Sequence, residues 1–153
     1  MKKLFSLLII SLAFILTACI FNTTKISLEP IPYEMKVPKN IASKITLEPM
    51  TGDWAKQLSQ AGVTAALSMN YQAEDGSQYS FAGIYYMPQD KFDGAINPNE
   101  PPVFGTEVSR KDGYVLAVAG PQDSIFEPST PDGKNITLLY EELYQKSSYI
   151  KTN

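Results

Sequence analysis

Between Val63 and Tyr71 the chain alternates, with Val63, Ala65, Leu67, Met69 and Tyr71 on one parity and Thr64, Ala66, Ser68 and Asn70 on the other. A period of two sustained over that length is the signature of a strand with one face turned to a core. Glu74-Asp75-Gly76-Ser77 follows, and Asp-Gly is a dipeptide that readily takes the positive φ angles of a tight hairpin. The chain is thereby committed to an antiparallel pair, whose return strand over Gln78 to Met87 carries Tyr79, Phe81, Tyr85 and Tyr86. Strict alternation puts residues 79, 81, 85 and 87 on one face and Ile84 with Tyr86 on the other.

A second hairpin is expected from Val103 to Ser109 and Tyr114 to Gly120, turned through Arg110-Lys111-Asp112-Gly113. Val115, Leu116 and Val118 fall on both parities, which predicts a strand covered on both sides. Three helical segments flank these strands. Thr51 precedes a short one with Trp54, Leu58 and Ala61 as its apolar face and Gly62 as its stop. Pro88 opens another, which runs through Phe92 and ends near Gly94. Thr130-Pro131 starts the longest, to about Lys146, with Ile136, Leu139, Tyr140 and Leu143 on one stripe and Glu141 and Glu142 turned away. The expected class is α+β: an antiparallel sheet of two hairpins plus edge strands, packed by two or three helices.

Lys2 and Lys3, followed by an apolar run from Leu4 to Leu16 broken only by Ser6 and Ser11, have the layout of a secretory signal peptide. The run falls short of the roughly 20 apolar residues that cross a bilayer as a helix. Leu16-Thr17-Ala18-Cys19 comes next and resembles the lipobox of bacterial lipoproteins. That resemblance implies cleavage before Cys19 and a diacylglyceryl thioether on its sulfur. Residues 1–18 are then a signal peptide and residues 19–43 a lipidated N-terminus and extended tether, with a single globular domain over 44–153. Pro30, Pro32 and Pro38 support the extended reading of the tether. An ordinary signal peptide with an incidental cysteine is the alternative. In such lipoproteins Asp after the cysteine goes with inner-membrane retention, so Ile20 points to the outer membrane in a host with two membranes, and otherwise to the outer face of the cell membrane. Lys25-Ile26-Ser27-Leu28-Glu29-Pro30 is echoed by Lys44-Ile45-Thr46-Leu47-Glu48-Pro49, and both copies read as short edge strands that stop at proline.

The chain has no histidine and one cysteine, which removes Ser-His-Asp and Cys-His nucleophiles, the usual zinc sets and any internal disulfide. No cofactor or metal is expected. Its net charge of -3 includes Lys2 and Lys3, so the mature chain is more acidic still. With Arg110 as its one arginine, it is ill suited to nucleic acid.

Four candidate features remain. The aromatic strand, with Tyr71 across the hairpin, forms either a ring-lined cleft for a flat ligand or simply core. Tyr86 becomes a ligand contact if its face is uncovered. Gln122 and Asp123 follow a covered strand, in the kind of loop that carries function or merely turns the chain. Arg110 offers a bidentate clamp for a carboxylate or phosphate, or a solvated turn charge. Asp90 with Asp93 and Glu141 with Glu142 lack both calcium-loop spacing and a defined catalytic separation. The stretch from Gly113 to Asp123 is similar to stretches of small envelope proteins that carry no assigned activity. The expected function is a membrane-anchored, non-catalytic domain binding an envelope protein or cell-wall component. An inhibitor or immunity protein against a cell-wall enzyme, a hydrolase using carboxylate and tyrosine, and a structural brace of a larger envelope complex are the alternatives.

Overall fold

Both hairpins form at their expected turns in the computed structural model, which describes residues 22–120 and 125–152. Strands β4 (Ala65–Gln72) and β5 (Gln78–Pro88) close over Gly76 at φ +85, where Ser77 N–H donates to Asp75 Oδ1 at 2.8 Å. Strands β6 (Thr106–Lys111) and β7 (Tyr114–Ala119) close over Asp112 at φ 54 and Gly113 at φ 82. Two successive positive φ values make this the type of turn whose twist matches its flanking strands. With β3 (Ile45–Pro49) they make a five-stranded antiparallel sheet in the order β3-β4-β5-β7-β6.

The extended arm expected for residues 19–43 is, from Thr23 onward, part of the fold. Strand β1 (Thr23–Ser27) pairs with β2 (Tyr33–Pro38), and β2 pairs with a C-terminal strand β8 (Tyr149–Lys151), making a second, three-stranded sheet. Leu28, Ile31, Tyr33, Met35, Val37 and Ile41 are buried, so the prolines punctuate strands here rather than loosen a linker. The globular unit therefore starts by Thr23, well before residue 44. The two echoed hexapeptides do occupy edge strands, β1 and β3.

The small sheet covers one face of the large one, here called inner. Tyr33, Met35 and Val37 meet Leu67, Met69, Tyr71, Ile84, Tyr86, Leu116 and Val118 in one core. Helix α4 (Pro131–Tyr144) closes this layer through Ile136, Leu139 and Leu143. Thr130 caps α4 as expected, its Oγ1 accepting from Gly133 N at 3.0 Å. The helix ends at Tyr144, close to the expected end near Lys146, and a 3-10 turn (Lys146–Ser148) leads into β8. Tyr140, expected on the buried stripe, is 40% exposed. On the outer face α2 (Gly52–Gln60) and α3 (Gln89–Gly94) set Leu58 and Phe92 against Tyr85, Met87, Val115 and Ala117. A short helix α1 (Lys39–Ala42) links β2 to β3.

Gly133 shows how closely α4 docks. A Cβ there would lie 2.0 Å from the carbonyl oxygen of Glu127. Gly→Ala within a helix usually gains about 1 kcal/mol; at this position we expect Gly133→Ala to lose roughly 1–3 kcal/mol instead, the usual cost of overpacking. Chemical denaturation checks it, and a stabilised variant refutes the close docking.

Candidate functional site

The structure separates the residues singled out above. Cys19, Gln122 and Asp123 lie outside the described residues. Tyr86 does not face a ligand: it is 9% exposed, stacked on Tyr114 at 4.8 Å between centroids and met edge-on by Tyr33 at 6.1 Å. Its face, open in a single-sheet picture, is covered by the small sheet. Arg110 stands in β6 rather than in the turn. Its Nη1 and Nη2 donate to Asp93 at 3.0 and 2.7 Å, its Nε and Nη2 donate to Glu107 at 3.0 and 2.6 Å, and it lies over the Phe92 ring. Hydrogen bonds from Arg110 hold the Asp93 carboxyl below the usual carboxylate range, and those two acids bind the Arg110 proton more tightly than usual. A ligand anion would first have to displace both carboxylates. Asp90 pairs with Lys91, and Glu142 accepts from Ser148 Oγ at 2.8 Å.

The expected face sharing of residues 79, 81, 85 and 87 also fails. Met69 pairs with Ala82 but Asn70 pairs with Ser80, so Phe81 is an extra residue on β5 and its parity flips there. Tyr79, Phe81, Ile84 and Tyr86 pack toward the inner core, and Tyr85 and Met87 toward the outer. The strand aromatics are core on both sides.

One polar cluster joins three elements. Tyr71 Oη donates to Asp132 Oδ1 at 2.7 Å, Lys44 Nζ donates to the same oxygen at 3.2 Å, and the Glu74 amide donates to Oδ2 at 3.0 Å. Asn135 Nδ2 donates to Tyr71 Oη at 3.1 Å. Partial burial opposes ionisation of Asp132, yet the bonds from Glu74, Tyr71 and Lys44 outweigh it and keep the carboxyl below its usual range. Burial, then the bond to Asp132, raise the Tyr71 hydroxyl. With Tyr71 fully buried, the cluster clamps the start of α4 to the large sheet, and its carboxylate is already engaged by three donors.

The outer face of the large sheet is different, because α2 and α3 cover only part of it. Ala66 lies under them, but Ser68 and Asn70, next on the same face of β4, do not. Ser68 Oγ lies 3.3 Å from Ser80 Oγ and donates to Asn70 Oδ1 at 3.3 Å, while Asn70 Nδ2 reaches Glu48 Oε2 at 3.4 Å. At the border stands Trp54, expected in the core but 50% exposed. It neighbours Tyr85, whose hydroxyl is pushed up by burial. The Tyr85 hydroxyl lies across Gly83, where a Cβ would come within 2.5 Å of it, and Gly83 pairs with Ser68. The Tyr85 hydroxyl thus lies against the sheet floor. Beside them Ser80, Gly83, Ala119 and Gly120 line an open depression of about 200 Å³. A second, more apolar cleft of about 240 Å³ lies along α2 between Leu58, Val63, Ala66 and Pro49.

The spacing of 54, 58 and 61 places Trp54 on the apolar face of α2, but of the face only Leu58 is buried. The better signal was the polar parity of β4, which carries Ser and Asn where a solvated sheet face more often carries charge. Comparison with protein-family models, curated proteins and solved structures finds no match.

Proposed function

We propose that this is a lipid-anchored binding protein of the cell envelope, fixed to a bilayer through Cys19 and presenting the uncovered outer face of its large sheet to a ligand. The observation that carries this reading is Trp54: an indole half exposed beside an open floor of hydroxyl and amide groups. An aromatic ring offers a ligand a large apolar contact face, and hydroxyl and amide groups nearby supply orienting hydrogen bonds. The residue inventory supports binding over catalysis, since histidine and a second cysteine are absent from the chain. Ile20 favours the outer membrane in a host with two membranes and the outer face of the cell membrane otherwise.

The short stretch from Cys19 to Thr23 can span no more than about 14 Å even fully extended. A lipidated Cys19 therefore holds the domain close to the bilayer, not out on an arm.

The anchor is tested by Cys19→Ser. The parent is expected to partition into detergent and to carry the added mass of a diacylglyceryl thioether, and the variant to do neither. A parent chain with a free thiol, found in the aqueous phase, removes the membrane part of the proposal. Sedimentation of the unlipidated Cys19→Ser chain with isolated envelope fragments tests the binding part apart from the anchor; recovery no better than for an unrelated domain rejects it.

A further inference from the structure

The ligand class is written into the floor of this face, and the inference rests on the binding reading just given. We infer that the uncovered sheet face carrying Ser68, Asn70 and Ser80, with the exposed Trp54 of α2 on the same side of the sheet, takes a neutral glycan chain. Three other ligand classes fit poorly. A polyanion needs clustered Lys or Arg. The side chains of this floor are Ser68, Asn70 and Ser80, and the only charge among its bonded groups is the carboxylate of Glu48. An apolar peptide would strip water from these hydroxyl and amide groups without replacing its hydrogen bonds, at a cost of about 1–3 kcal/mol per group by protein mutational measures. A cation is held by several oxygen ligands, and here one carboxylate is already engaged by Asn70.

A pyranose chain matches on both counts. Its hydroxyls donate and accept, as do Ser68, Ser80 and Asn70, and a carboxylate such as Glu48 accepts from hydroxyl groups. Its C–H faces lie against the negative face of an aromatic ring. Gly83 keeps the floor beneath Tyr85 free of side chain.

Trp54 is the chain's only tryptophan, so its emission reports on this site alone. The full-length lipidated protein in detergent is titrated with the β-1,4-linked tetramer of N-acetylglucosamine, with cellotetraose and with maltotetraose. A saturable blue shift, with protection from acrylamide quenching, is expected for at least one of them. A response to the acetamido sugar alone points to a wall-type glycan, and a response to the plain glucans points to a capsular or storage-type one; either supports the inference. By calorimetry Trp54→Ala and Asn70→Ala are each expected to weaken binding by roughly tenfold or more, the factor that about 1.4 kcal/mol represents. Trp54→Phe should lose less than Trp54→Ala, and Val103→Ala, exposed on another loop, should bind as the parent does. Thermal melts identify any variant that has lost its fold; Trp54→Phe and Asn70→Ala, which alter surface positions, then carry the test. No response to any of the three sugars, or equal affinity in parent and both alanine variants, overturns the inference. If envelope sedimentation persists without a sugar response, the glycan is wrong and the binding reading survives; if both fail, both fall.

Discussion

Gly105→Ala is expected to destabilise the protein by about 2–5 kcal/mol, combining 1–2 for a side chain held in the left-handed region with 1–3 for overpacking. Gly105 sits at φ +76, where the proline-rich loop turns into β6. A Cβ there would lie 2.1 Å from the Val118 carbonyl oxygen and 2.6 Å from the Ala119 Cα. Both colliding groups are backbone of β7, a strand buried on both faces, so they have nowhere to move. The neighbouring residue, Phe104, fills the outer core against Tyr85, so the damage should spread there. Gly76→Ala separates the two effects, because Gly76 also has a positive φ, +85, but a Cβ would meet nothing within 4 Å. It should cost only the conformational part, about 1–2 kcal/mol. Urea denaturation of the two variants checks the pair, and equal losses would mean that the close approach of loop and β7 is wrong.

Asp132→Ala should produce the other large loss, and with it a change in acid sensitivity. Removing the carboxylate leaves the buried Tyr71 hydroxyl with Asn135 as its remaining partner and leaves Lys44 without its ion-pair partner. Lys44 and Asp132 keep 25% and 13% side-chain exposure, so the loss should be roughly 3 kcal/mol, at the low end for breaking a buried pair. The folded state holds the Asp132 carboxyl below its usual range, against the opposing effect of burial. That stabilisation is therefore complete above the unfolded value, about 3.9, and is lost as pH falls through the lower folded value. The parent protein should lose stability with acid over that window, and the variant should lose less. Asp93 and Asp112 are also held low, by Arg110 and Lys151, and contribute to the slope in both proteins. The difference between parent and variant therefore isolates Asp132, and parallel acid profiles would contradict its role.

How far the sequence could be read depended on how local the deciding interaction was. Asp75-Gly76 and Asp112-Gly113 act through their own φ angles, so both hairpins were legible. Thr130 caps α4 through an amide three residues away, so the start of that helix was legible too. Trp54 was misread because a helical period says which residues share a face, not whether anything packs against all of it. The bulge at Phe81 left no mark in composition, yet it reversed the face of every strand residue on one side of it. The polar floor followed from the same limit: Ser68 and Asn70 could be assigned to one face, but not to the part of it that α2 and α3 leave open.

Alternation, turn dipeptides and the capping threonine determined by themselves that this chain forms two antiparallel hairpins and a C-terminal helix, because each is a preference of a few adjacent residues. Tertiary structure alone decided that Thr23–Ser27 and Tyr33–Pro38 join Tyr149–Lys151 in a second sheet, that Tyr86 is buried under it, and that Trp54 stays in water beside an open floor. The second sheet is completed by a pairing between residues more than a hundred positions apart in the chain, Tyr33 with Lys151. Chain-closure entropy opposes such contacts and only the burial of a shared core repays it, a balance no local pattern records.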